Sequence, residues 1–175
     1  MNSLLCRISL LSVLMLISVN GSARAQSEAQ PLRGNAMGFS MDRFTSGGSS
    51  VVAMSYRYSS LQPGEMGLEL GVSVFPQMLR AGILSTASDL GASYNLTVPG
   101  GSVLIKAGGS AATAIGVLGA WFVPGVHLGG TLLLQAGNSS GVRLDLIRHH
   151  YWVDGGLTVP VWSVGLGFAI LPHRQ

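Results

Sequence analysis

In the stretch "PVWSVGLGFAIL" (160–171) size alternates at every step. Trp162, Val164, Leu166, Phe168 and Ile170 are large and apolar, while Ser163, Gly165, Gly167 and Ala169 are small. Side chains of an extended strand point alternately to opposite faces, so a period of two reads as a strand with two unlike faces. Such a strand belongs to a sheet that separates two environments, and a slip of one residue would exchange them. A soluble barrel would bury the large residues, whereas a membrane barrel would turn them outward to lipid.

The same alternation appears in seven further segments: 37–44, 51–58, 66–75, 89–98, 102–110, 125–135 and 141–152. Leu104 and Leu133 break the pattern in two of them. Segments of about ten residues match the length of a tilted membrane-spanning strand. Turn-forming clusters separate them, among them "SGGS" (46–49), "LQPGE" (61–65), "PGG" (99–101), "AGNSSG" (136–141) and "DGG" (154–156). Pro124 and Pro160 fall at strand starts, where a missing N–H is tolerated. The expected fold is all-β: an eight-stranded antiparallel up-and-down transmembrane β-barrel with a narrow, polar, Gly-rich lumen. The segment 111–123 reads equally as a long loop, a short helix or an extension of its flanking strands.

The first 25 residues read as a cleaved secretory signal peptide. Arg7 precedes an apolar core at 8–19, and Ala23 and Ala25 form an A-x-A-like cleavage site. Residues 26–35 are expected to be a flexible leader, 36–171 a single barrel domain, and 172–175 a tail. Cleavage removes Cys6, the one cysteine, so no disulfide supports the mature chain. It also removes Arg7 and Arg24, leaving eight basic against seven acidic residues. With one lysine and no basic run, nucleic acid is not an expected partner. Mean hydropathy is +0.45 and charged residues make up 10% of the chain, against about 25% in ordinary soluble domains. A chain this apolar, exported and without a long apolar helix, points to a barrel in the outer membrane.

The distribution of charge chooses the inner face. Asp42, Arg57, Glu69, Asp89, Lys106, Arg143 and Asp145, with His127, lie on the small-residue face among glycines and serines. A solvated outer face would be denser in charge, and glycine suits the interior of an eight-stranded barrel, which has room only for side chains. These eight residues are therefore expected to form a lumen charge network. With the N-terminus inside, the inner connections are 60–65, 99–101 and 136–140. The outer ones are 45–49, 76–88, 110–124 and 151–159, longer in three cases of four. Phe44, Phe75, Trp121, Tyr151, Trp152 and Trp162 are expected to form an outer aromatic girdle.

With alternation over 36–171, "GVRLDLIRHHYW" as penultimate strand and "WSVGLGFAI" as closing strand, the sequence resembles the small eight-stranded OmpA/OmpX-like outer-membrane proteins of Gram-negative bacteria. The resemblance implies a monomer in outer-membrane lipid, inserted by the barrel-assembly machinery. That machinery recognises a C-terminal aromatic residue, for which this chain offers Phe168 or Ile170, followed by "LPHRQ". Some similar barrels are lipid A deacylases with His and Ser two residues apart. Here Gly129 follows His127 and Tyr151 follows His149 at that spacing, so no catalysis is expected. "HH" (149–150) reads as a pair at the barrel lip, since adjacent strand residues cannot easily share one metal ion. No metal or cofactor is expected. The expected role is structural or interactive, through the external loops. The alternatives are a narrow pore or transporter, and a secreted soluble barrel binding an apolar ligand.

Overall fold

A computed structural model describes residues 32–117 and 119–172, apart from the side chain of Asp154. The segment read as a signal peptide and the last three residues lie outside the described residues. Eight strands follow one another: β1 (Gly34–Ser46), β2 (Ser49–Leu61), β3 (Met66–Val74), β4 (Leu84–Val98), β5 (Gly101–Gly116), β6 (Gly119–Gln135), β7 (Ser140–Val153) and β8 (Leu157–Ile170). Each pairs antiparallel with the next, and β8 pairs with β1, which closes the barrel. Closure leaves the spanning part of the sheet without an unpaired edge, which a bilayer requires because lipid offers backbone groups no partner. At the seam, Phe39 stands opposite both Tyr56 and Phe168, with ring centroids 5.1 and 5.4 Å away.

The large residues face outward. Met54, Leu90, Leu128, Leu146 and Phe168 are exposed, while Ser55, Ser59, Ser93 and Ser163 are buried inside. A soluble barrel with its large residues inside is not what this chain builds. Gly91 and Gly108 show why the inner face is small. They are paired, and a Cβ on either would lie 2.3 or 2.2 Å from a carbonyl oxygen of the other strand.

The ends differ from expectation in three places. The segment 110–124 is not a loop. Strands β5 and β6 continue through it as a ladder from Ala111↔Pro124 to Gly116↔Gly119. Both strand faces there lie beyond the packed lumen and meet similar surroundings, so nothing imposes alternation on the sequence. The outer connections are consequently short. Gly47 and Gly48 turn β1 into β2 with φ of 54° and 85°, as a tight hairpin needs. Only 75–83, which contains the helical turn Pro76–Leu79, is longer. The third difference is the leader: β1 begins at Gly34 rather than after residue 35, and Leu32 is buried.

Leu32 joins Ala36, Leu61, Leu104, Leu133, Ala169 and Leu171 in an apolar cluster at the inner end of the lumen. The two exceptions to alternation, Leu104 and Leu133, are thereby explained: each turns inward as part of this plug. At the outer end Phe44, Ala53 and Ala87 form a second cluster, covered by Val51, Phe75 and Val161.

A charge placed on the outward face tests this orientation. Leu166→Arg is expected to lower barrel stability by about 2–4 kcal/mol, the cost of arginine near mid-bilayer. Urea unfolding in phospholipid vesicles checks it, and an unchanged midpoint would place Leu166 away from lipid.

Candidate functional site

Seven strands send a charged or imidazole side chain into the lumen. Alternation on each strand selects the inward residue, and the closed register brings the chosen groups together. Arg57 of β2 donates through Nη2 to Asp42 Oδ2 and through Nη1 to Asp89 Oδ2, both at 3.0 Å. Its Nε lies 3.9 Å from Asp145 Oδ2. Lys106 Nζ donates to Glu69 Oε1 at 3.0 Å and to Asp145 Oδ1 at 2.9 Å. Arg143 donates through Nε to Asp145 Oδ2 at 2.8 Å and through Nη2 to Glu69 Oε1 at 2.9 Å. Ser40, Ser59 and Thr131 donate to Asp42, Glu69 and Asp145, filling carboxylate lone pairs that the cations leave open.

All eight residues expected in the lumen stand there, each no more than 5% exposed. Their room comes from glycine. A Cβ at Gly38 would sit 2.7 Å from Arg143 Cδ, one at Gly71 would sit 2.6 Å from Arg57 Nη1, and one at Gly165 would sit 2.1 Å from Asp42 Oδ1. Within "VGLG", Gly165 is thus the seat of a charge from another strand, while Gly167 lets the β1 backbone approach, its Cβ meeting the Phe39 carbonyl oxygen.

His149 and Ser110 also belong to this cluster, although the sequence reading placed His149 at the lip. Ser110 Oγ donates to Asp89 Oδ1 at 2.7 Å and lies 3.0 Å from His127 Nδ1 and 3.3 Å from His149 Nδ1. The ring of His149 stacks on Tyr151 and Phe44, with centroids 5.7 Å away in both cases. Parity on β7 carries the signal for this. Arg143, Asp145, His149 and Tyr151 are all odd-numbered, so the first histidine of "HH" points inward and the second outward. A serine, a carboxylate and two histidines in contact do not make a hydrolytic triad here. The serine proton is given to the carboxylate rather than to a base, and all four groups are buried. Among the described residues, no group of three or more acidic, cysteine or histidine side chains is placed to hold a metal ion.

The aromatic girdle divides. Trp152 and Trp162 are exposed on the outward face, while Trp121, with the inward parity of β6, is exposed on the hairpin beyond the packed lumen. Phe44, Phe75 and Tyr151 are not part of the girdle. Phe44 and Tyr151 have inward parity and are buried, and Phe75 packs edge-on against Phe44 at 5.1 Å, so these rings close the lumen rather than face lipid.

No family model and no curated protein matches the sequence. Solved structures do match. The Pseudomonas aeruginosa outer membrane protein OprG superposes with a TM-score of 0.59 at 10% identity, over 85% of this chain and all of that one. The N-terminal β-barrel domain of Pseudomonas aeruginosa OprF gives 0.57 at 14% identity, over 81% of this chain and all of that one. Neisserial surface protein A gives 0.52 at 11% identity, over 78% of this chain and 94% of that one. The chain has the fold of the small eight-stranded outer-membrane β-barrels. At these identities the likeness is one of fold. The lumen residues are this chain's own, and their roles rest on the distances above.

Breaking the network from one side is expected to be costly, because it strands buried carboxylates. Arg143→Met removes partners of Glu69 and Asp145 and is expected to cost about 3–5 kcal/mol in vesicle unfolding. Adding Glu69→Gln to that variant should restore part of the loss. Additive losses would show that Arg143 and Glu69 do not act as a pair.

Proposed function

We propose that this protein is a monomeric outer-membrane barrel that anchors and presents its outer end, and that it neither conducts solutes nor catalyses a reaction. The observation that carries this reading is the closed lumen. Three cations are each bonded to carboxylates on other strands, between an apolar plug at the inner end and a Phe44–Phe75 lid at the outer end. A permeant ion would have to break several buried ion pairs and pass two dry layers, each step costly in a low dielectric. The outer-membrane location is supported by the apolar outward belt and by the likeness to barrels from that membrane.

The presented element is the β5–β6 hairpin. Its ends at 111–117 and 119–124 carry no charge, and Ile115, Trp121 and Phe122 are exposed on it. In assembly, Phe168 serves as the aromatic signal of the closing strand. It is exposed on the outer face, two residues before the end of β8.

In planar bilayers the purified protein is expected to show no steady conductance. Stable open channels in the wild type would overturn the closed-lumen reading in favour of a narrow pore. Ser110 pairs directly with Gly125, so replacing 111–124 with an Asn-Gly turn should leave a barrel that still shifts on gels when boiled. Loss of that shift would make the hairpin part of the barrel's stability rather than a presented element.

A further inference from the structure

The outward face of the barrel changes character abruptly on three neighbouring strands. On β1, Met37, Phe39 and Met41 are followed by Arg43. On β7, Leu144 and Leu146 are followed by Arg148 and His150. On β8, between them, Leu166 and Val164 give way to Trp162. The register places these residues side by side: Arg43 opposite Val164, Arg148 opposite Trp162. Arg43 and Arg148 stand on either side of β8, offset by two residues along it, so two strand spacings and that offset put them about 12 Å apart. Two arginine side chains can close such a gap on one group.

Both guanidinium groups are exposed, and among the described side chains no carboxylate pairs with either. Arg148 lies over the Trp162 ring, 5.3 Å from its centroid. Arg43 Nη2 donates to Ser50 Oγ at 3.1 Å. Among the described side chains, the carboxylates Asp42, Glu69, Asp89 and Asp145 are buried in the lumen, and Glu65 is in the inner turn. The outward face of β1, β7 and β8 offers these cations no carboxylate. On the flanking strands the residues paired with these positions are uncharged: Val52 of β2 opposite Arg43, and Leu128 and Val126 of β6 opposite Arg148 and His150.

We propose that Arg43 and Arg148, with His150 beside them, form a site for the phosphate of an anionic amphiphile. The amphiphile's chains would lie on the apolar belt below, along Met41, Leu146 and Val164. Charge complementarity carries the choice of occupant. A guanidinium fork binds a phosphate through two N–H groups, and the cation–π contact with Trp162 fixes one fork in advance. The two arginines mark the upper limit of the belt, which is the depth at which a lipid headgroup phosphate sits, and an exposed indole belongs at that same depth.

The site rests on the membrane reading of the fold, and the test separates the two. Trp121→Phe and Trp152→Phe leave Trp162 as the single indole, a reporter beneath Arg148. The full-length mature barrel is folded in nonionic octyl glucoside micelles, and the boiled-versus-unboiled gel shift is recorded on every sample. Phosphatidic acid, phosphatidylcholine and inorganic phosphate are then titrated separately. Phosphatidic acid is expected to change Trp162 emission saturably, and phosphatidylcholine is expected to bind at least tenfold more weakly. Arg43→Gln with Arg148→Gln should weaken phosphatidic acid binding at least tenfold with the gel shift intact, while the inner-end control Arg33→Gln should leave it unchanged. Saturable binding of inorganic phosphate as tight as that of phosphatidic acid, lost in the same double variant, would keep the phosphate site and assign it to a soluble ligand. Equal binding of phosphatidic acid to the wild type and the folded double variant would overturn the proposal. Absence of a gel shift in the wild type would overturn the membrane reading on which it stands.

Discussion

Three cations and four carboxylates share a space from which water and lipid are both excluded, and most of the structure follows from keeping them satisfied. Each cation is bonded to carboxylates from other strands, so the network cannot form until the sheet has closed. A carboxylate left without its cation in that interior would cost several kcal/mol. The network therefore stabilises the closed register over slipped ones, since a one-residue slip would carry every charge on a strand out to lipid.

Room for these side chains is made by absence. Gly38, Gly71 and Gly165 stand where any Cβ would meet Arg143, Arg57 or Asp42, and Gly91 and Gly108 allow two strands to bend close together. Above and below the charges lie apolar clusters. Five leucines and two alanines seal the inner end, and Phe44 and Phe75 lie over the outer one. The barrel wall thus encloses a miniature polar core of paired charges, which is the observation the proposed function rests on.

Much of the lumen was legible in the sequence. Asp42, Glu69 and Lys106 announce themselves because each sits beside small residues of its own parity, and Asp145 because it shares its parity with Arg143. Where the reading failed, it failed at the ends of the strands. Phe44, Tyr151 and His149 were assigned by residue type, as girdle or lip, although their parity already pointed inward. An aromatic ring near a strand end suits either lipid headgroups or a lumen lid, and only packing distinguishes the two. The hairpin at 111–124 was ambiguous for a related reason. Beyond the packed lumen the two strand faces are no longer distinguished, so the alternation that marks a strand disappears while the strand continues.

By itself, the sequence determined the number of strands, which face of each is apolar, and the charged residues that enter the lumen. All of these are encoded in a period of two along the chain, a local property of the backbone. Only the tertiary structure decided which charge meets which, that Leu104 and Leu133 belong to one plug, and that Arg43 and Arg148 stand on either side of β8, Arg148 over Trp162. Those facts depend on the register between strands and on closure of β8 onto β1, and no single strand carries either.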